Sequence, residues 1–229
     1  MSILRALRQD IRVTLERDPA ARNVIEIILA YPGVHAIWFY RLTHALWQLD
    51  VPVVPRFISH IARFLTGIEI HPAAQLGPGL FIDHGMGVVI GETAKIGENV
   101  TLYQGVTLGA QTLHTGKRHP TLGNNVVVGA GAKVLGPVTI GEDCVIGAGA
   151  VVLNDVPPHA TVVGVPGHVV AMRDPHTGES ARVVQPDPMA EALYALQKRV
   201  VDLEARLARF ENGGAPAEHE ESLERCRDA

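Results

Sequence analysis

The sequence predicts a mainly β fold, a parallel β-helix of hexapeptide repeats, with an α-helical N-terminal region and a C-terminal helix. Three observations carry this. A six-residue beat runs from near Ile70 to about Val156, an aliphatic residue opening each hexad and a small or β-branched residue closing it at the fifth place. Residues 1–66 lack the beat and instead place apolar residues at helical spacing. Near the C-terminus, apolar residues alternate spacings of four and three, the signature of a heptad seam.

Taken in order, Ile3, Leu7, Ile11 and Leu15 predict a first helix, and Asp18-Pro19 reads as the N-cap and first position of another. Tyr31-Pro32-Gly33 breaks that helix. A third runs from about Val34 to Leu49, and a last one follows Pro52 and Pro55 and ends near Gly67. The helical domain is therefore 1–66 and the β-helix 67–170. The longest unbroken run of hexads opens at Leu122, Val128, Val134, Ile140, Ile146 and Val152. Three hexads per coil stack residues eighteen apart, about 4.8 Å away in the next coil. Val128-Gly-Ala-Gly-Ala and Ile146-Gly-Ala-Gly-Ala have that spacing. Residues 171–188, with Pro175, Gly178, Pro186 and Pro188, read as a linker. Met189 to Phe210 make three heptads within a helix at 189–212, read as a trimeric coiled coil or as an amphipathic helix lying on its own domain. The Gly- and Glu-rich tail, 213–229, has a disordered composition.

Composition narrows the function. A formal charge of −4 gives no support for a nucleic-acid partner. Two cysteines, Cys144 and Cys226, form neither a disulfide framework nor a metal-ligand spacing. The first twenty residues lack a signal-peptide core, and Glu26, Pro32 and His35 interrupt the one long apolar stretch, so the expectation is a cytoplasmic protein without a membrane span.

The beat breaks twice, and the ionisable residues collect there. Between Ile82 and Ile90 it slips around Asp83-His84-Gly85, and between Leu108 and Leu122 around Gln111 to His119. Insertions in solenoids lie on the surface, often on the binding face. His84 is a candidate general base, since a neutral imidazole takes a hydroxyl proton when a carboxylate orients its other nitrogen. Glu69, fifteen residues earlier and roughly one coil below, would supply that carboxylate. An ordinary Asp-His surface turn is the alternative. Arg118 offers a fork for a carboxylate and His119 a further polar contact, against a plain solvated basic pair at Lys117-Arg118. Ala130 and Ala148 stack, leaving room for a long ligand or simply suiting tight corners.

With these residues assembled, the chain resembles the serine O-acetyltransferases of the hexapeptide-repeat acyltransferase group. The matching stretches are Arg17-Asp18-Pro19-Ala20, Ile70-His71-Pro72-Ala73-Ala74, Asp83-His84, Gly91-Glu92-Thr93-Ala94, Gly105-Val106-Thr107-Leu108-Gly109, Arg118-His119-Pro120, and Val156-Pro157-Pro158 through Gly164-Val165-Pro166. The resemblance implies a left-handed coil, departing from the usual right-handed crossover. It also implies a homotrimer with active sites between subunits, a dimer of trimers being the alternative assembly.

By the same resemblance, His84 is the base acting on the L-serine hydroxyl, and Glu69 falls on the position of its paired carboxylate. Asp18, Asp83, Arg118 and His119 fall on serine-binding positions, and Gly109, Ala110, Ala130 and Ala148 on the coenzyme A side. Acetyl-CoA is then a co-substrate, no cofactor is tightly bound, no metal is needed, and L-cysteine is the expected feedback inhibitor. The chain departs from the family at Ala110, where Gly is common. It departs also at Ala229, which replaces the terminal Ile that docks into O-acetylserine sulfhydrylase, so no tight complex through this tail is expected. Two rivals stand beside this reading: a gamma-class carbonic-anhydrase-like zinc enzyme using His84, His114 and His119, and a non-catalytic trimeric scaffold.

Overall fold

The computed structural model describes residues 3–182 and 188–211. Four helices come first: α1 (Ile3–Arg17), α2 (Val24–Ala30), α3 (Pro32–Gln48) and α4 (Val54–Thr66). Asn23, not Asp18, caps α2, its side chain accepting the Glu26 N–H. Asp18 follows the last turn of α1, its own N–H bonded to the Thr14 carbonyl, which corrects the N-cap expectation. Pro32 and Pro55 sit in the first turns of α3 and α4, where a missing N–H costs nothing. Gly67 ends α4 in the left-handed conformation and turns the chain into the solenoid.

The solenoid has about five turns. Its first coil is β1 (Glu69–Ile70), β2 (Gln75–Leu76) and β3 (Phe81–Asp83), and its second β4 (Val89–Ile90), β5 (Lys95–Ile96) and β6 (Thr101–Tyr103). The third is β7 (Thr107–Gly109), β8 (Thr121–Leu122) and β9 (Val127–Val128), and the fourth β10 (Lys133–Leu135), β11 (Thr139–Ile140) and β12 (Val145–Ile146). β13 (Val151–Val152) and β14 (Ala160–Val163) complete it. Three parallel faces result: β1-β4-β7-β10-β13 is face A, β2-β5-β8-β11 face B, and β3-β6-β9-β12-β14 face C.

Register follows the breaks in the beat. Where the beat is unbroken, residues eighteen apart pair, as Val128 does with Ile146. Across the first break they are twenty apart, Glu69 opposite Val89, and across the second twenty-six, Thr107 opposite Lys133. The core is the line of hexad-opening residues, with Leu102, Leu108, Ile140 and Ile146 fully buried, and the small fifth-place residues Ala94, Ala132, Cys144 and Ala150 between them. Each fully buried aliphatic side chain contributes about 1.5–3 kcal/mol.

Both ends of the solenoid are covered. At the first coil, the Ser59 hydroxyl donates to the Ile70 carbonyl at 2.7 Å and the Tyr40 hydroxyl to the Ala74 carbonyl at 2.6 Å. Backbone groups of a terminal coil would otherwise go unpaired. At the far end, β15 (His168–Arg173) and β16 (Ser180–Arg182) add antiparallel to face C. The expected linker 171–188 is therefore structured over Ala171–Arg182. Its Pro175 and Gly178 belong to a hairpin turn that Asp174 organises by accepting the His176 and Thr177 N–H groups. Residues 3–182 form one compact unit that joins the helices to the coils.

The helix α5 (Pro188–Glu211) belongs to a second unit. Its heptad residues Leu193, Leu196, Val200, Leu203, Leu207 and Phe210 are exposed in the single chain. The tail expected to be disordered, 213–229, lies outside the described residues. No described helix is long and apolar enough to cross a membrane.

Candidate active site

The two breaks place ionisable groups on two different edges of the prism. Asp83 closes β3, so His84 lies on the edge where face C turns into face A. Asp83 pairs with Tyr103, and Gly105 donates to the Met86 carbonyl one coil on, so His84 and Gly85 are the two added residues. Both have positive φ, 58° and 72°. That conformation is uncommon for a residue with a Cβ and costs on the order of 1 kcal/mol. Here it throws the imidazole outward, with its side chain 75% exposed. The carboxylate that meets His84 Nε2 is Asp83, at 3.9 Å.

Helix ends bring further carboxylate to this edge. Arg17 donates to Thr101 Oγ1 at 2.7 Å, tying the end of α1 to β6. Gly33 lies directly on the Ile82 backbone, where a Cβ would collide with the carbonyl. Tyr31 bridges the two, its hydroxyl donating to Asp18 Oδ2 at 2.7 Å. Desolvation, the bond to Asp18 and the charges of Asp18, Glu26 and Asp83 push its phenol up to about 12. Asp18, Asp83 and His84 are thus gathered at one edge, and a pair of carboxylates there suits an ammonium group. Tyr31 was not singled out by its sequence position, because its significance lies in a contact thirteen residues away.

Glu69 lies in the coil directly below, with Gly87 donating to the Gly67 carbonyl and Glu69 to the Val88 carbonyl. Its carboxylate, however, meets Arg63 Nε at 3.3 Å, so the expected pairing with His84 is not formed in this structure. Further up the same edge, Ala130 and Ala148 stack, Gly149 donating to the Ala130 carbonyl at 2.8 Å. They extend in line from His84.

The other residues lie where face A turns into face B. The eight added residues of the second break swing back so that Lys117, Arg118 and His119 lie against Gly91-Glu92-Thr93 of the coil below. His119 is 8% exposed, its ring lying on Gly91, where any Cβ would overlap it. Its Nδ1 accepts the Thr93 N–H at 3.1 Å and faces the Thr93 hydroxyl at 2.9 Å. That arrangement leaves the proton of the neutral ring on Nε2. Burial and the Arg118 charge hold the imidazole below its usual range. Arg118 is ion-paired with Glu92 through Nη2. His71, one coil further down, is held neutral to about pH 4, chiefly by burial and then by the Arg56 charge. Gly109 ends β7 and Ala110 follows it, exposed, on this same edge. A guanidinium beside an Nε2–H donor suits a carboxylate. Glu92, Thr93 and His71 carried no sequence signal beyond lying in the matched stretches.

In one chain, therefore, the base-bearing edge and the carboxylate-binding edge are separated by the whole of face A. His84, His114 and His119 do not gather, and among the described residues the group that could hold a metal ion is Glu142, Asp143 and His159, on the third edge.

The comparisons agree with this architecture. Residues 119–154 match the bacterial transferase hexapeptide family of six repeats. The serine acetyltransferase of Synechococcus elongatus is 53% identical over 205 residues, covering 90% of this chain and 84% of that one. Among solved structures, Neisseria gonorrhoeae serine acetyltransferase in complex with serine superposes with a TM-score of 0.71 at 42% identity, over 74% of this chain and 69% of that one. The Brucella abortus enzyme in complex with coenzyme A gives 0.71 at 39% identity, over 79% and 69%. A serine acetyltransferase complex with cysteine gives 0.72 at 40% identity, over 73% and 70%. With the hexad register, the Asp83-His84 turn and the Arg118-His119 segment in place, this chain belongs to the serine acetyltransferase family.

Proposed function

We propose that the chain transfers the acetyl group of acetyl-CoA to the hydroxyl of L-serine, giving O-acetyl-L-serine and CoA, the entry to cysteine synthesis. The observation that carries the reading is the division of charge between two edges, carboxylates on one and a guanidinium on the other, which matches the ammonium and carboxylate of an amino acid. Because one chain keeps them apart, the site forms where the edge of one subunit meets the other edge of its neighbour, in a homotrimer. Asp18 and Asp83 hold the ammonium, Arg118 and His119 the carboxylate.

His84 removes the hydroxyl proton as the oxygen attacks the thioester carbonyl, then returns it to the departing thiolate. Glu69, released from Arg63, orients the ring from the coil beneath. Glu69→Gln should lower kcat with little change in the serine KM, and an unaltered kcat would leave Asp83 as the orienting carboxylate. The pantetheine arm lies along the edges marked by Ala130 and Ala148 and by Gly109 and Ala110. L-cysteine, sharing the ammonium and carboxylate, competes with serine, and the enzyme works in the cytoplasm. Three heptads of α5 join in the trimer.

The carbonic-anhydrase-like and scaffold readings give way to the serine acetyltransferase kinship. The direct test is thiol release from acetyl-CoA with serine beside homoserine and sugars. Release with serine at least about a hundredfold faster than with the others is expected, a margin that a site built around buried polar groups attains. Equal rates, or none, would contradict the reading.

A further inference from the structure

The carboxylate-binding edge is organised by one side chain that its charge and position did not recommend. The Thr93 hydroxyl accepts the Arg118 N–H at 3.0 Å and the His119 N–H at 3.1 Å, and it faces His119 Nδ1 at 2.9 Å. The Thr93 backbone serves the same segment. Its N–H donates to His119 Nδ1 at 3.1 Å, and its carbonyl accepts from Lys117 Nζ at 2.9 Å. Three consecutive residues of the long insertion are thus fastened to one residue of the coil below. Without that fastening, an eleven-residue excursion between β7 and β8 would have to hold a guanidinium and an imidazole in place through exposed side chains alone.

The hydroxyl has one hydrogen, and both backbone amides need it as acceptor, so it points its proton at the imidazole. Nδ1 then faces two donors, the amide and the hydroxyl, and neither tolerates a proton on that nitrogen. The ring is left as the Nε2–H tautomer with Nε2 free to donate. The Gly91 surface fixes its plane.

We propose that Thr93 is the positioning residue of the serine carboxylate subsite, setting the tautomer and direction of His119 and the backbone path that aims Arg118. The inference rests on the serine acetyltransferase reading. It follows that the methyl of Thr93 is dispensable and the hydroxyl is not. Thr93→Val keeps the shape and the backbone bonds but leaves the Arg118 and His119 N–H groups without an acceptor. Thr93→Ser keeps the hydroxyl.

The test compares wild type, Thr93→Val and Thr93→Ser by steady-state kinetics and by ¹⁵N NMR of the His119 imidazole. Thr93→Val should raise the serine KM about tenfold or more, the loss expected from one or two misdirected hydrogen bonds, with the acetyl-CoA KM unchanged within about twofold. Thr93→Ser should restore the serine KM to within about threefold of wild type. In the NMR spectrum, wild type should show a protonated Nε2 and a bare Nδ1; in Thr93→Val the backbone N–H still holds that tautomer, and the Nδ1 resonance should shift with the loss of the hydroxyl donor. A wild-type serine KM in Thr93→Val, or equal loss for both substrates that Ser does not rescue, would overturn the proposal. If wild type itself releases no thiol with serine, the function reading fails and the NMR comparison still decides the role of Thr93. Identical His119 spectra in wild type and Thr93→Val would refute it.

Discussion

The two edges that bound face A solve opposite problems. On the first, an insertion of two residues throws His84 into solvent on a left-handed backbone, with Asp83 at 3.9 Å its nearest carboxylate partner. On the second, an insertion of eight brings Arg118 and His119 back onto the coil, where Glu92, Thr93 and Gly91 hold them and His119 is almost fully buried. A group that shuttles a proton needs access and a pKa near neutrality, whereas groups that read a carboxylate need fixed direction. The regular coils supply the frame for both, and each departure from the beat is sized to its task.

The largest expected break in this contrast is His84→Ala. It should lower kcat by about 10²–10⁴-fold, the usual contribution of a positioned base, while the assembly survives, because an exposed side chain carries little of the fold. Near wild-type turnover would remove His84 from the mechanism. Arg118→Lys comes next. An ammonium cannot reproduce two parallel bonds, so the serine KM should rise about tenfold or more with acetyl-CoA use nearly unchanged. Equal losses for both substrates would mean that Arg118 organises the whole edge.

A third effect is on stability, with no change in catalysis at neutral pH, and belongs to the buried edge. Burial holds the folded pKa of His71 at about 4, below the ordinary value near 6.5, so between those limits the unfolded chain binds a proton there that the folded chain does not. Stability therefore falls as pH drops from about 6.5 towards about 4, by at most about 3 kcal/mol from this residue. Urea midpoints across that range should fall more steeply in wild type than in His71→Gln. Parallel curves would show that His71 does not carry the slope.

Much of this was legible because a solenoid repeats its environment. The inward positions of every coil need the same small or aliphatic residues, so the beat, the stacking of Val128 on Ile146, and the breaks holding His84 and Arg118 all appear in the one-dimensional pattern. What escaped depends on contacts without period. Asp18 looked like a helix start because Asp-Pro suits one, but α1 ends there and Tyr31 binds its carboxylate. The Pro175 and Gly178 pair read as a linker, whereas the same residue types make the turn between β15 and β16. Thr93 acts on residues twenty-five and twenty-six positions away, through a hydroxyl that no spacing marks. Glu69 was expected to face His84, but Arg63, on the last turns of α4, reaches its carboxylate.

The central claim is that a working site takes one edge from each of two chains. It is tested by mixing two inactive proteins. His84→Ala lacks the base but keeps an intact carboxylate edge, and Arg118→Ala lacks the guanidinium but keeps an intact base. Unfolded together in equal amounts and refolded, they form mixed trimers in which roughly a quarter of the sites join a sound His84 edge to a sound Arg118 edge, given cyclic symmetry. The account predicts that serine-dependent thiol release returns to about that fraction of wild type. Mixed trimers that remain as inactive as either parent would contradict it and would place both edges of the site within one chain.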